Sequence, residues 1–303
     1  MKIIDACAGI GGFHFGIQSV LTTECVGAIE LDLMARKSYL ANFPNTKMYE
    51  DISNVTNLPE HDIFCAGFPC QPFSLAGNRL GLQDSRGTVI EHIARLLKES
   101  QPRYFLLENV KNILKTNNGA DFKYIIQILK NAGYNVYTDV LGLHTHSNIP
   151  QCRERLFFVG INSNIQQNFE FPSKIKLSKS VDDCLYRKDV QDNKYYYTTS
   201  SQYYNLLDSS IIDDSIYQLR RIYVRRNANN LCPTLTANMG GGGHNVPIIK
   251  DKYGIRKLIP RECLNFQGFN KSFKEVVSNT HLYKQSGNSV SPEIVSRIIK
   301  KLI

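Results

Sequence analysis

Asp62-Ile63-Phe64-Cys65-Ala66-Gly67-Phe68-Pro69-Cys70-Gln71-Pro72-Phe73-Ser74 is the stretch on which the reading of the chain turns. Its first seven residues form a short, largely apolar run, which predicts a buried strand ended by Pro69. Cys70 is then delivered to the carboxyl end of a strand, the edge where open α/β sheets place their chemistry. Pro69 and Pro72 stiffen the turn on either side and present the thiol. A free thiol is more often buried and inert, so a nucleophilic Cys70 needs support from the rest of the chain.

Upstream, Lys2 to Cys7 reads as a strand, followed by the small turn Ala8-Gly9-Ile10-Gly11-Gly12 and a helix from about Phe13 to Val20. Small residues between a first strand and a first helix let backbone approach a nucleotide cofactor. The dinucleotide fingerprint G-x-G-x-x-G is incomplete, because His14 stands where its third glycine belongs, and this argues against a nicotinamide or flavin enzyme. A plain strand–helix turn competes with the cofactor reading. Cys25 to Glu30 predicts a second strand whose terminal carboxylate can take ribose hydroxyls, and Asp51-Ile52 offers a further acid.

Downstream, Ser74 to Arg86 is polar and glycine-containing, with Arg79, Asp84 and Arg86, and reads as a mobile loop. Thr88 to Ser100 is an amphipathic packing helix. Phe105-Leu106-Leu107 is a buried strand ending in Glu108-Asn109, and a carboxylate there is a candidate proton donor beside the thiol. A helix over Asp121 to Ala132 stops at Gly133, and Tyr134 to Leu141 is a strand. Gln151-Cys152-Arg153-Glu154-Arg155 leads into a strand over Leu156 to Ile161. Its two arginines share a face by period two, and taken alone the pair reads as a solvated edge rather than a site.

The alternation up to this point predicts an α/β fold, a Rossmann-like and mainly parallel sheet with helices on both faces. From about Pro172 to Ile259 the alternation disappears. Arg220-Arg221-Ile222-Tyr223-Val224-Arg225-Arg226, then Pro233 to Met239 and the glycines at 240 to 243, interleave basic, aromatic and amide groups as phosphate and base contacts require. We expect residues 1–172 plus 260–303 to form the catalytic and cofactor-binding domain, and 173–259 a smaller, irregular target-recognition domain. Gln285 to Val290 reads as a tight polar turn, and Pro292 to Leu302 as the last helix.

The 303 residues carry a net charge of +9, which fits a polyanionic partner. With 42% hydrophobic residues in short runs, no membrane span is expected. Asp5 interrupts any signal-peptide core, so a cytoplasmic protein is expected. The eight cysteines show no CxxC or zinc spacing, which suggests reduced thiols and no metal.

Several blocks, in order, resemble the cytosine-C5 DNA methyltransferases of bacterial restriction-modification systems. They are Asp5 to Phe13, Gly67 to Ser74, Glu108-Asn109-Val110, Gln151 to Arg155, Arg261 to Phe269 and Gly287 to Val290, nearly the whole chain. The resemblance implies that Cys70 adds to C6 of cytosine, that Glu108 bonds N3 and the exocyclic amine, that Arg155 grips O2, and that Arg153 holds the loop or a phosphate. It implies S-adenosylmethionine as methyl donor, with S-adenosylhomocysteine as product. The donor is expected against Cys7, Ala8, Gly9, Ile10, Gly11, Gly12, Glu30, Leu31, Asp51, Ile52, Pro69, Asn288, Ser289 and Val290. The implied partner is double-stranded DNA, met by Arg79, Arg86, Arg221, Arg225, Thr234 and Gly241, with the cytosine flipped out under the 74–86 loop. A cognate restriction endonuclease is the expected functional partner, and the protein is expected to be a monomer. Cys7 and Leu31 replace aromatics that many members stack on adenine, and Ala76 stands where some members carry a gap-filling serine. Two rivals are an RNA methyltransferase, since one branch of the family acts on transfer RNA, and a DNA-binding regulator without catalysis.

Overall fold

The computed structural model describes residues 1–69, 88–220, 222–227, 229–239 and 246–303. Cys70, Arg79, Arg86, Arg221, Gly241, and the 74–86 loop with Ala76 lie outside the described residues.

In chain order the elements are β1 (Lys2–Ala6), α1 (Gly12–Gln18), β2 (Glu24–Ile29), α2 (Leu33–Asn42), β3 (Met48–Tyr49), β4 (Ile63–Gly67), α3 (Val89–Ser100), β5 (Tyr104–Val110), α4 (Ala120–Asn131) and β6 (Tyr134–Gly142). There follow α5 (Leu143–His146), β7 (Gln151–Cys152), β8 (Glu154–Asn162), α6 (Tyr204–Ser210), β9 (Tyr217–Leu219), β10 (Val224–Arg226), β11 (Cys232–Pro233), β12 (Pro247–Asp251) and β13 (Gly254–Lys257). The chain closes with α7 (Pro260–Gln267), α8 (Asn279–Asn288) and α9 (Pro292–Leu302). Packing divides it into two compact units, Met1–Leu141 with Glu154–Pro172 and Ile294–Ile303, and Gly142–Arg153 with Ser173–Glu293. Residues 142–153 and 260–293 therefore fold with the variable segment, not with the sheet. The reason is a shared core, in which Cys263, Phe266 and Tyr283 pack with Cys232, Leu235 and Met239.

The first unit holds a seven-stranded sheet in the order β3-β2-β1-β4-β5-β8-β6. β1 pairs parallel with β2 and β4, β2 with β3, and β4 with β5, whereas β8 runs antiparallel to β5. β1 has β2 on one side and β4 on the other, so the order reverses between β1 and β4. That reversal opens a crevice at the carboxyl ends, where such sheets bind ligands. Ala6 pairs with Ala66 across it, so the glycine turn after β1 and the chain leaving β4 toward Cys70 start side by side. β4 and β5 are buried nearly throughout, as expected of strands covered by helices on both faces.

Glu108, expected at a strand end, lies inside β5, because the ladder to β8 continues as far as Val110 opposite Arg155. His14 stacks on Phe43 with ring centroids 3.7 Å apart, and its Nδ1 lies 2.9 Å from the Tyr39 hydroxyl. The position that breaks the dinucleotide fingerprint is thus a packing residue. Gly11 is left-handed at φ +86, and a Cβ there would come within 2.6 Å of the Phe43 ring. Both facts require glycine.

The second unit contains a four-stranded sheet, β10-β9-β12-β13, antiparallel at each pairing, and a short parallel pair, β11 with β7. Arg256 in β13 is fully buried, with Nε 2.6 Å from Asp251 and two nitrogens each 2.8 Å from the Glu262 carboxylate in α7. Gln285 to Asn288, read from sequence as a turn, are the last residues of α8. Gly287 sits there because a Cβ would lie 2.2 Å from the carbonyl carbon of Thr236.

Candidate active site

Glu108 and Arg155 meet because β5 and β8 are antiparallel neighbours. Glu108 faces Phe157, and Arg155 is two residues along, the diagonal position on the same face of the ladder. Arg155 Nε lies 3.0 Å from Glu108 Oε1, with the side chains 17% and 10% exposed. Shielding at that level makes a charge pair stronger than it is in open water. The second carboxylate oxygen turns toward Gly67 at the end of β4, and a Cβ on Gly67 would be 3.7 Å from it. Beside it, the Asn109 side-chain amide donates to the Phe68 carbonyl at 3.0 Å, fixing the backbone two residues before Cys70. A carboxylate held by a guanidinium, with one oxygen uncommitted, can take a ring N–H and an exocyclic amine.

Arg153 does something different. It is buried, and its guanidinium donates to the carbonyls of Leu235 (2.9 Å), Gly287 (3.1 Å) and Ser289 (2.9 Å) in the second unit. The fork thereby holds two backbone segments together, one at Leu235 and one at Gly287–Ser289, and of the two expected roles the loop-holding one matches this geometry. Gln151 works alongside, donating to Phe266 O at 2.6 Å and accepting from Leu235 N–H at 3.1 Å.

At the crevice, Glu30 follows β2 and is fixed by two backbone donors, Gly9 N–H to Oε2 and Asp32 N–H to Oε1, both at 2.8 Å. Each oxygen keeps a lone pair for a hydroxyl. Arg36 braces this turn by donating to Glu30 O at 3.0 Å and Leu31 O at 2.9 Å. A Cβ built on Gly9 would meet nothing within 4 Å, so open space lies over the turn where backbone can approach a ligand. Asp5 is fully buried, with neither oxygen in a hydrogen bond of good geometry to a described residue, and burial holds its carboxyl well above the usual range. The open turn, the fixed acid and the unmet Asp5 fit the methionine and ribose parts of S-adenosylmethionine.

Of the other expected cofactor residues, Cys7 is left-handed at φ 49 and Leu31 is 71% exposed. Ala8, Ile10 and Gly12 are buried in the turn. Asp51 caps a short 3-10 turn through Ser53 N–H at 2.9 Å, a bond that lowers its pKa, while Pro69 is exposed. Ile52 belongs to the sheet core, with Phe64 and Leu96. Asn288, Ser289 and Val290 lie in the second unit.

Burial pushes the Cys7 thiol up to about 12 and Cys25 to about 11, and holds Cys65 well above its usual value. These cysteines of the first unit are therefore poor nucleophiles. In the second unit Thr234 spends its hydroxyl on the Cys152 carbonyl, and Arg225 is exposed on β10. Among the described residues, no group of three His, Cys, Asp or Glu side chains could hold a metal, and no helix is long and apolar enough to cross a membrane. Asn109 and Gln151 were within reach of sequence, since both sit in recognised blocks. Arg36 gave no signal.

The sheet order, the glycine turn and the Glu108–Arg155 pair define an α/β methyltransferase. The family model for C-5 cytosine-specific DNA methylase matches residues 1–303. Type II methyltransferase M.Bsp6I of Bacillus sp. (strain RFL6) is 42% identical over 309 residues, covering 100% of this chain and 98% of its own. Type II methyltransferase M.HhaI of Haemophilus parahaemolyticus is 34% identical, covering 98% and 93%. Among solved structures, the S. pombe Dnmt2 methyltransferase superposes with a TM-score of 0.77 at 20% identity over 99% of this chain and 97% of that one, which speaks to the fold. The chain belongs to the C-5 cytosine-specific DNA methylase family, and is an S-adenosylmethionine-dependent enzyme that methylates cytosine at C5 in DNA.

Proposed function

We propose that the enzyme methylates a cytosine flipped out of a specific duplex site, with Cys70 as nucleophile and Glu108 and Arg155 holding the base. The observation that carries this reading is the 3.0 Å Glu108–Arg155 pair beside the strand that leads to Cys70. Cytosine C5 is a weak nucleophile. The Cys70 thiolate bonds to C6, and the electron pair moves through the ring to C5. An unperturbed thiol has a pKa of about 8.5, so a cationic neighbour that favours the thiolate raises the rate. Glu108 takes the N3 and amine edge as charge develops, and Arg155 takes O2 while orienting Glu108. When bound, S-adenosylmethionine supplies an electrophilic methyl to C5 and leaves as S-adenosylhomocysteine. A base then takes the C5 proton, the C5–C6 double bond re-forms and the Cys70–C6 bond breaks, restoring the thiolate. This chemistry draws on no metal.

In this reading Ala8 to Gly12, Glu30 and Asp51 hold the donor, and Asn288 to Val290 are further residues assigned to it. Arg153 positions the segments around Leu235 and Ser289 and does not touch the base. The 173–259 segment reads the site and meets the duplex through Arg221, Arg225, Thr234 and Gly241, and Arg79 and Arg86 follow the flipped base. Relatives named Type II methyltransferases support a protective role beside a restriction endonuclease, and in this reading the enzyme acts in the cytoplasm as a monomer. The test is methylation by wild type and Glu108→Gln on duplex DNA and on transfer RNA. We expect duplex methylation, mapped to one site, with kcat lowered at least about a hundredfold in the variant and binding little changed. Wild-type turnover in Glu108→Gln removes its catalytic role, and preference for transfer RNA removes the duplex reading.

A further inference from the structure

The turn joining β9 to β10 carries an apolar feature that the residues assigned above do not use. β9 is buried along its whole length, and Arg220 N–H donates to Tyr223 O at 2.8 Å to close the turn. At its tip Ile222 is 84% exposed and Tyr223 is 54% exposed. Single exposed apolar residues are ordinary, and arginines on a short edge strand guard it against pairing with other chains. Neither point explains adjacent exposed Ile and Tyr at a turn, where Gly, Asn, Asp and Pro are the residues that geometry favours.

The charges beside the tip divide in the same way. Arg226 is committed to Asp213, whereas Arg225 is exposed and has no hydrogen bond or ion pair with any described residue. An apolar tip beside a free guanidinium is complementary to a surface that alternates base and phosphate.

We propose that Ile222 and Tyr223 pack against base surface of the DNA duplex while Arg225 holds a neighbouring phosphate. The proposal rests on the reading of the second unit as the part that holds target DNA. It adds an apolar contribution to recognition, which unlike the arginines is insensitive to salt.

Full-length wild type, Ile222→Ala, Ile222→Leu and Arg225→Ala are titrated by fluorescence anisotropy against a duplex carrying the mapped site and one lacking it, over a series of KCl concentrations. Ile222→Ala is expected to weaken binding to the site about tenfold, with binding to the other duplex and the salt slope unchanged, and Ile222→Leu to restore most of the loss. Arg225→Ala is expected to weaken both duplexes and lower the slope by about one. Wild-type affinity and site profile in Ile222→Ala overturn the proposal, as does an equal loss on both duplexes. Wild-type protein that neither binds nor methylates duplex overturns the parent reading instead, a result no variant can mimic.

Discussion

His14 shows how one side chain can redirect a familiar turn. It occupies the third position of a broken glycine fingerprint, is 6% exposed, and burial lowers its pKa to about 4. An unfolded histidine titrates near 6.5, so between these values the unfolded chain binds the extra proton. The contribution of His14 to stability is therefore complete above about pH 6.5 and is lost as pH falls toward 4, by at most about 3 kcal/mol. Urea unfolding of wild type and His14→Gln across that range should show wild type losing stability relative to the variant. Asp5, whose pKa is raised, loses its contribution as pH rises, but it is common to both proteins and cancels in the difference. A flat difference contradicts the account of His14. Glu108 and Arg155 were legible because their two blocks place an acid and a cation at the ends of predicted strands. The partners of Arg153 were not, because backbone carbonyls 82 or more residues away leave no trace in local sequence.

α8 is one of the elements that sequence missed. Asn279-Thr280-His281-Leu282-Tyr283-Lys284-Gln285-Ser286-Gly287-Asn288 has few strong helix formers and ends in residues that favour turns. Its burial comes from tertiary neighbours, which periodicity cannot register, whereas α3 and α9 carry an apolar stripe and were read nearly to their ends. The strands of the second unit were hidden for another reason. They run two to five residues, too short for an alternation to be counted. Gly287 tests the packing argument. In an exposed helix, glycine to alanine stabilises by about 0.5–1 kcal/mol, but here the new methyl meets the backbone of Thr236 at 2.2 Å. Overpacking of about 1–3 kcal/mol should prevail, so Gly287→Ala should melt at a lower temperature and methylate more slowly. A higher melting temperature would show that the 234–239 segment yields easily.

On the scale of the whole molecule, the chain leaves the sheet unit and returns to it twice, at 141/142, 153/154, 172/173 and 293/294. Arg153 and Arg155, two residues apart, consequently serve different units, one fixing backbone around Leu235 and the other orienting Glu108. A single recognised block thus spans a boundary that a cut at 172 and 260 would miss. Sequence located the chemistry and the likeness to a family, while the packing boundary depended on a core shared by distant segments. The net charge of +9 adds a long-range attraction for DNA that salt screens. It assists the encounter without choosing a site.

The central claim, that Cys70 forms the bond to the base, is tested most directly by covalent trapping. Duplex DNA carrying 5-fluorocytosine at the methylated position blocks the final loss from C5, so the protein–DNA bond should persist. With S-adenosylmethionine present, wild type should give a denaturation-resistant adduct that mass spectrometry assigns to Cys70, and Cys70→Ala should bind the same duplex and give none. An adduct at another residue, or none from a wild-type protein that methylates the unmodified duplex, would contradict the account.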